Sequence, residues 1–151
     1  MSDFRDTSLN TDPDTGVVRD DLCFCCGQDN ERGLKLVFEY DGEGSATTSL
    51  IIPTWFSGWR SMTHGGLLST LLDECMAHAC ISVCGHAITA ELTVRYHMPV
   101  ETGSKITLTG TVDSVRSRIV ETSGVILDSR NNRIASGRAR FMRAAPKFDK
   151  K

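Results

Sequence analysis

The sequence has no surplus of charge of either sign and no long uninterrupted apolar run. Its 151 residues carry 17 basic and 19 acidic side chains, a formal net charge of -2 at pH 7. This near balance offers nothing to a nucleic-acid backbone, so nucleic acid is not expected as a partner. Apolar runs end well short of the roughly 20 residues that a membrane-spanning helix needs, and the N-terminus has no apolar signal core. These absences predict a soluble, cytoplasmic protein with no membrane partner.

The cysteines are too unevenly placed to be a disulfide framework. Three lie close together and three fall in one helical segment: Cys23, Cys25 and Cys26, then Cys75, Cys80 and Cys84. This clustering is not typical of the cysteine spacing in secreted disulfide-bonded domains. Cys23 and Cys26 form a C-x-x-C motif, which holds zinc only with two further ligands, and no second C-x-x-C or spaced His pair follows. Reduced, partly buried thiols are therefore favoured and no metal is assigned, with zinc at this motif as the open alternative.

Length and composition predict one folded domain with a short arm at each end. A chain of 151 residues, 40% of them hydrophobic, can build one core and leaves no room for a second independent unit. Residues 1–21 are rich in Asp, Ser, Thr and Asn, so we expect a flexible arm. The lysine-rich residues 146–151 are expected to form a flexible tail. The domain is predicted to span residues 22–145.

Alternation of apolar and polar residues predicts strands on both sides of a helical segment. The predicted strands cover residues 34–40, 45–52, 88–100, 105–115, 118–127 and 133–142. In the strand 88–100, the alternation places Ile88 on the same face as Leu92, and Thr89 on the opposite face. Polar and glycine-rich turns at 41–44 and 129–132 predict hairpins.

Between Gly65 and Cys84 the apolar residues return every three to four positions, which predicts one long, buried helix that Gly85 ends. One apolar helix among six strands cannot cover both faces of a parallel sheet. An antiparallel sheet curled around the helix, the α+β hotdog arrangement, is therefore expected. The other sheet face or an edge strand remains available to a second copy of the chain.

The start of this helix is a candidate binding site for a carbonyl oxygen. His64, Gly65 and Gly66 lead into it, and the first N–H groups of a helix lack intrahelical partners. Glycines let a ligand approach the backbone closely. A developing oxyanion placed there would be stabilised. Taken alone, the same residues are more typical of a tight loop that feeds a helix.

Asp73 lies two turns along the helix, away from its apolar stripe. It is either a reactive carboxylate or one on a solvated helix face, and the adjacent Glu74 competes with it. Seven residues at about 1.5 Å each separate Gly66 from Asp73 by roughly 10 Å along the axis. One carbonyl group cannot contact both. If both act, Asp73 must come from a neighbouring subunit, which predicts a composite site at a dimer interface.

Residues 22–142 resemble the hotdog thioesterases related to the phenylacetyl-CoA type. Residues 64–74, H-G-G-L-L-S-T-L-L-D-E, resemble the H-G-G and T-L-L-D-E segment of that family. Residues 23–27, C-F-C-C-G, followed by Gly33-Leu34, resemble the C-F-x-C-G and G-L opening of many of its members. The strand that begins at residue 88 is similar to the strand that follows the helix in those proteins.

The resemblance implies hydrolysis of an acyl-CoA thioester to free acid and CoA, without a cofactor, in a homodimer or homotetramer. Asp73 would be the nucleophile or the general base for water. The N–H of Gly66 or Gly65 would receive the thioester oxygen. Thr89 would steady the carboxylate or its water, and His64 would shape the loop and hydrogen-bond near the carbonyl.

Substrate-binding residues are predicted from residue type. Guanidinium groups suit the CoA phosphates, although arginines on exposed strands are commonly solvated. The candidates are Arg116, Arg118, Arg138 and Arg140. Trp59, with Trp55 and Phe56, would line the acyl pocket or, as favoured by residue type, pack against the helix.

Three features leave alternatives open. Relatives often carry Asn or Gln where this chain has Gly58, so Ser57 or Ser61 would have to supply that polar group. Asp73 and His78 have the five-residue spacing of a hydratase pair, but an offset of about 500° turns the side chains roughly 140° apart on a helix. An enoyl-CoA hydratase is thus a minor alternative. A non-catalytic acyl-CoA-binding module has the same fold signature.

Overall fold

The computed structural model describes Asn10–Thr11, Val18–Arg19 and residues 21–143. These residues form eight strands, one long helix and a short 3-10 helix. In chain order they are β1 (Asn10–Thr11), β2 (Val18–Arg19), β3 (Glu39–Tyr40), β4 (Ser45–Ile51), the 3-10 helix (Thr54–Phe56), α1 (Gly65–Cys84), β5 (Ala87–Tyr96), β6 (Lys105–Arg116), β7 (Ile119–Asp128) and β8 (Arg133–Arg143). β1 and β2 pair with each other inside the predicted arm. The rest of that arm, except Asp21, and the predicted tail lie outside the described residues.

Six strands form one antiparallel sheet in the order β3-β4-β6-β7-β8-β5. The single long helix packs against the strands from β4 to β8. The predicted hotdog fold is thus confirmed, and the helix begins and ends at the predicted residues. Although α1 is long and apolar enough to cross a membrane by length and composition alone, half of its apolar window is buried inside the protein, as in the core helix of a soluble domain.

The predicted first strand, residues 34–40, is wrong for most of its length. Its alternation is real, since Leu36 and Phe38 are buried. However, the N–H groups of Leu34 and Leu36 donate to the carbonyls of Phe24 and Cys25 rather than to a neighbouring strand. Burial against the N-terminal loop produces the same period-2 pattern as burial in a sheet.

A β-bulge at Ala90 reverses the faces of β5. Thr89 pairs with the buried Phe141, while Glu91 pairs with Arg140, so Ala90 has no partner of its own. The extra residue shifts the alternation by one position. Thr89 therefore faces α1, and Ile88 is 73% exposed. The predicted assignment of these two side chains was wrong, because a bulge is not visible in an alternation pattern.

Three glycines let α1 lie close to the sheet. Gly110 on β6, Gly124 on β7 and Gly137 on β8 are directly paired, so they form a row across the sheet. A Cβ at Gly110 would lie 2.2 Å from the carbonyl oxygen of Cys75. At Gly110 the helix backbone occupies the space that a side chain would need, and at Gly124 the side chains of Leu72 and Met76 occupy it.

Candidate active site

The N-terminus of α1 is capped by the side chain of its preceding residue. His64 has an extended backbone, and its Nδ1 accepts a 2.8 Å hydrogen bond from the Gly66 N–H. The His64 carbonyl also accepts from the Leu67 N–H. His64 occupies the Gly66 N–H, whereas no acceptor for the Gly65 N–H lies among the described residues, so Gly65 is the candidate donor to a substrate. A Cβ at Gly58 would lie only 3.3 Å from the His64 Cα, so the absence of a side chain at Gly58 lets the two backbone segments of the capping loop approach closely.

Tyr96, at the end of β5, covers the first turn of α1. Its hydroxyl lies 3.0 Å from the Gly65 carbonyl and 2.5 Å from the Ser69 hydroxyl. A Cβ at Gly65 would be 3.4 Å from the Tyr96 ring, an ordinary contact distance. Sequence reasoning missed this contact. Alternation predicts which face of β5 Tyr96 occupies, but no sequence signal shows which helical turn it reaches.

Asp73 and Thr89 are brought together, as the resemblance implies. The Thr89 hydroxyl donates a 2.7 Å hydrogen bond to Asp73 Oδ1. Burial raises the pKa of Asp73, the hydrogen bond from Thr89 opposes that rise, and the charge of Glu74 adds to it. Asp73 is thus a half-buried carboxylate held by one directed donor, which is a setting for a reactive carboxylate rather than for a solvated one.

Glu74 belongs to a different environment from that of Asp73. Its Oε1 lies 3.2 Å from His78 Nε2, and His78 Nδ1 lies 2.6 Å from the Tyr40 hydroxyl. The His78 ring is buried and stacks on Phe38 at a centroid distance of 4.0 Å. Both ring nitrogens of His78 are therefore engaged away from Asp73. The five-residue spacing does not produce a hydratase pair.

A group of possible metal ligands lies beside Glu74. The Sγ atoms of Cys23 and Cys26 and a carboxylate oxygen of Glu74 are all within 4.8 Å of one another. Hydrogen bonds from the thiols of Cys25 and Cys26 lower the pKa of Cys23, and the same bonds, together with burial, raise the pKa values of Cys25 and Cys26. The sequence provided the C-x-x-C pair, but not the third donor, because Glu74 is 48 positions further along the chain.

The tryptophans do not pack against the helix. Trp59 is 85% exposed and Trp55 is 76% exposed, while Phe56 is half-buried against the core. The favoured packing interpretation is therefore wrong for both tryptophans, and a role in acyl binding stays a prediction. Both rings are therefore accessible to a ligand or to a second protein surface.

The predicted arginines do not contact Asp73 in the same chain. Arg138 is exposed on the sheet face turned away from α1, where it lines a groove with Thr93 and Ser123. Arg116 lies at the end of β6, three strands from β5, which at about 4.8 Å per strand is roughly 14 Å across the sheet. Arg118 lies in the turn that follows. If these groups bind CoA near Asp73, they must come from another subunit.

The helix enclosed by an antiparallel sheet, with a glycine-rich helix start and a held carboxylate, defines a hotdog-fold protein with a candidate acyl-transfer site. A family model for the thioesterase superfamily matches residues 61–135, which include Gly65, Asp73 and Thr89. This segment of the chain therefore belongs to the thioesterase superfamily. The family resemblance predicted from the sequence is confirmed at that level.

Individual proteins show the same relationship. The chain is 32% identical over 69 residues to an acyl-coenzyme A thioesterase of Xenopus laevis, and the match covers 46% of this chain and 31% of that protein. A crystallised thioesterase superfamily protein matches with a TM-score of 0.77 and 28% identity, over 84% of this chain and 62% of the other. The PaaI protein from the phenylacetic acid degradation operon of E. coli has a TM-score of 0.70 and 22% identity, over 74% of this chain and 81% of its own, so it shows the shared fold alone.

The match thus covers about a third (31%) of the curated relative and less than two thirds (62%) of the first of these structures. The family match concerns residues 61–135, and most of the curated relative has no counterpart in this chain's match.

Proposed function

We propose that the protein hydrolyses an acyl-CoA thioester to a free acid and CoA. The observation that carries this proposal is the Asp73 carboxylate, half-buried and held by Thr89, on the same helix whose N-terminus presents Gly65. The acyl-CoA substrate class is suggested by the name of the Xenopus relative. A carboxylate and an oxyanion site are the two groups that thioester hydrolysis requires.

The ionised Asp73 is the reactive form, either attacking the thioester carbon or removing a proton from the attacking water. The Thr89 hydroxyl donates to Oδ1, which fixes the orientation of the carboxylate. The Gly65 N–H and the positive end of the helix dipole stabilise the oxyanion that forms on the substrate oxygen. His64 keeps the helix start in shape through its bond to the Gly66 N–H. With Asp73 as general base, collapse of the tetrahedral intermediate expels CoA as a thiolate, which takes up the proton that Asp73 removed from water. With Asp73 as nucleophile, the collapse leaves a mixed anhydride on Asp73, which water then hydrolyses to the free acid and the carboxylate.

The two groups are too far apart on one helix to serve one substrate. Eight residues at about 1.5 Å each put Gly65 and Asp73 roughly 12 Å apart along the axis, whereas a reacting carbonyl must lie about 3 Å from each group. A second copy whose helix runs antiparallel would bring its Gly65 to Asp73 of the first. The proposed active unit is therefore a homodimer, alone or within a homotetramer, with two composite sites.

Strand β5 is the edge that such a dimer would use. It is ten residues long and lies at the end of the sheet, with Ile88 73% exposed and Tyr96 52% exposed. A long edge strand with exposed apolar side chains favours pairing with another strand. Pairing there would bring the Tyr96 and Thr89 regions of two copies together. Trp59 as an acyl contact, Arg116, Arg118 and Arg138 as CoA contacts, and a cytoplasmic location remain parts of the proposal.

The first test is thiol release from a panel of aliphatic and aromatic acyl-CoAs. Asp73→Asn should lower kcat by about 100-fold or more, the usual cost of losing a positioned acid-base group. Glu43→Gln, at an exposed turn acid, is the matched control and should retain full activity. Circular dichroism should show that both variants keep the native fold. A native protein that binds acyl-CoA without releasing thiol would overturn the proposal in favour of a binding module.

A further inference from the structure

The cysteine motif near the N-terminus is folded into a hydrogen-bonded loop against α1. The Gly27 N–H donates a 2.8 Å hydrogen bond to the Cys23 carbonyl, which closes one turn. A Cβ at Gly27 would lie 2.4 Å from the Asp21 carbonyl oxygen, so the turn requires glycine. Cys25, between the two motif cysteines, is buried in the core. The loop thereby turns Cys23 and Cys26 towards the helix, where Glu74 lies.

The three side chains at this contact match the donors that zinc prefers. Cysteine thiolates and Glu carboxylate oxygens both bind Zn²⁺, and C-x-x-C is a usual spacing for two sulfurs from one turn. All three residues are half-buried, and their donor atoms converge within 4.8 Å. We infer that Cys23, Cys26 and Glu74 form a zinc-binding site, separate from the Asp73 site and independent of the proposed hydrolysis.

The distances fit a tetrahedral ion after a small contraction. With Zn–S of about 2.3 Å and Zn–O of about 2.1 Å, two tetrahedral donors lie about 3.5 to 3.8 Å apart. The Cys23 Sγ and Glu74 Oε1 atoms are 4.0 Å apart, and no pair of the three donors exceeds 4.8 Å. Side-chain rotations that move the donor atoms by about one ångström or less would therefore bring all three to zinc-binding distance, with the backbone of the loop and of α1 in place.

His78 supports the third ligand from behind. Its Nε2 lies 3.2 Å from Glu74 Oε1, and the Tyr40 hydroxyl holds the opposite ring nitrogen at 2.6 Å. Such an outer contact orients a metal-ligating carboxylate. This arrangement gives His78 a reason to be buried and doubly hydrogen-bonded, which the Asp73 chemistry does not provide.

The fourth coordination position faces a small cavity. The cavity has a volume of about 210 Å³, and Cys23, Cys26, Glu74 and His86 all contribute to its wall. We assign three protein ligands and one position open to water, as in zinc sites that are not closed by a fourth side chain. Because the loop and the helix would share one ion, zinc should also fasten residues 23–27 to α1.

The experiment is metal binding by the reduced full chain. After removal of metal with a chelator, the native protein should take up about one equivalent of Zn²⁺ per chain, and Co²⁺ should give a thiolate-to-cobalt charge-transfer band. Cys23→Ser and Glu74→Gln should lose that uptake. Cys84→Ser, at a half-buried thiol on the same helix, is the matched control and should retain it.

A second measurement does not depend on how the variants fold. Zn²⁺ should protect Cys23 and Cys26 of the native chain from alkylation, as located by mass spectrometry, while leaving the labelling of Cys84 unchanged. It should also raise the Tm of the native chain but not that of Cys23→Ser, since an ion that binds the folded state stabilises it. Failure of the reduced native protein to bind Zn²⁺, or protection that extends equally to Cys84, would overturn the inference. Thiol release by the same samples reports on Asp73 separately.

Discussion

The hydroxyl of Thr89 on β5 donates a 2.7 Å hydrogen bond to Asp73 Oδ1 on α1, sixteen residues earlier in the chain. The β-bulge at Ala90 makes this contact possible, since it turns Thr89 towards the helix. Burial raises the pKa of Asp73, and the bond from Thr89 counteracts that rise. These two effects, with the charge of Glu74 adding to the rise, set the pH range in which the charged form of Asp73 is present.

Removing the Thr89 hydroxyl should move the acid limb of the activity profile to higher pH. The hydroxyl stabilises the charged form of Asp73, so Thr89→Val leaves burial unopposed and raises the pKa further. Because the reactive form is ionised, kcat/KM should begin to fall at a higher pH than in the native protein. The measurement is kcat/KM for one acyl-CoA across the acid range.

Thr89→Ser is the matched control, because it keeps the donor and removes only a methyl group. Its acid limb should coincide with that of the native protein. If Thr89→Val lost activity equally at every pH without moving the limb, the hydroxyl would act on something other than the ionisation of Asp73.

The oxyanion role of Gly65 can be tested by deleting one N–H. Gly65 is the first residue of α1, where proline is well tolerated, and His64 already has the extended backbone that precedes proline. Gly65→Pro should therefore fold but lower kcat by about 100-fold to 1,000-fold, as loss of an oxyanion donor does. Gly65→Ala keeps the N–H and places its methyl at an ordinary distance from Tyr96, so it should remain active. Equal kcat in the two variants would remove Gly65 from the mechanism.

The sequence predicts those parts of the molecule that depend on local periodicity. The bounds of α1 follow from a helical repeat that begins after His-Gly-Gly and ends before Gly85. The later strands follow from alternation and turn residues. Errors occur where something distant changes a local pattern: the Ala90 bulge reverses a face, and the loop at residues 23–27 provides burial that resembles a strand.

The candidate site also contains residues that the sequence predicts and contacts that it does not. The helix start supplied Gly65, the helical pattern made Asp73 a candidate, and the family resemblance supplied Thr89 and a role for Asp73. The contact of Tyr96 with Gly65, and that of Cys23 with Glu74, join segments 31 and 51 residues apart. Such contacts depend on the register and direction of whole elements, which no spacing within one segment encodes.

The glycine row beneath α1 predicts a graded loss of stability. Gly110→Ala would place a Cβ 2.2 Å from the Cys75 carbonyl oxygen, so the helix or strand must move. Overpacking of this kind costs about 3 kcal/mol or more in free energy of unfolding. At Gly137 the nearest atom to a Cβ is 3.3 Å away, so Gly137→Ala should cost about 1 kcal/mol or less. Urea unfolding of both variants measures the difference in free energy of unfolding. Equal losses would show that closeness to the helix is not the reason why glycine is required at position 110.

A composite site makes a prediction that no single-chain site can share. In a dimer of Asp73→Asn with Gly65→Pro, one site receives both substitutions and the other receives neither, if Asp73 and Gly65 act across the interface. Random exchange makes half of the dimers hybrids with one intact site each, so the mixture should regain about a quarter of native activity. Each variant alone should be inactive. Mixtures of either variant with the active Glu43→Gln, measured before and after subunit exchange, provide the reference activity.

If Asp73 and Gly65 of one chain served the same substrate, both sites of every hybrid would be defective. Thiol release after exchange therefore separates the two arrangements, and a mixture as inactive as its parents, with hybrids confirmed by native mass spectrometry, would place the whole site within one chain.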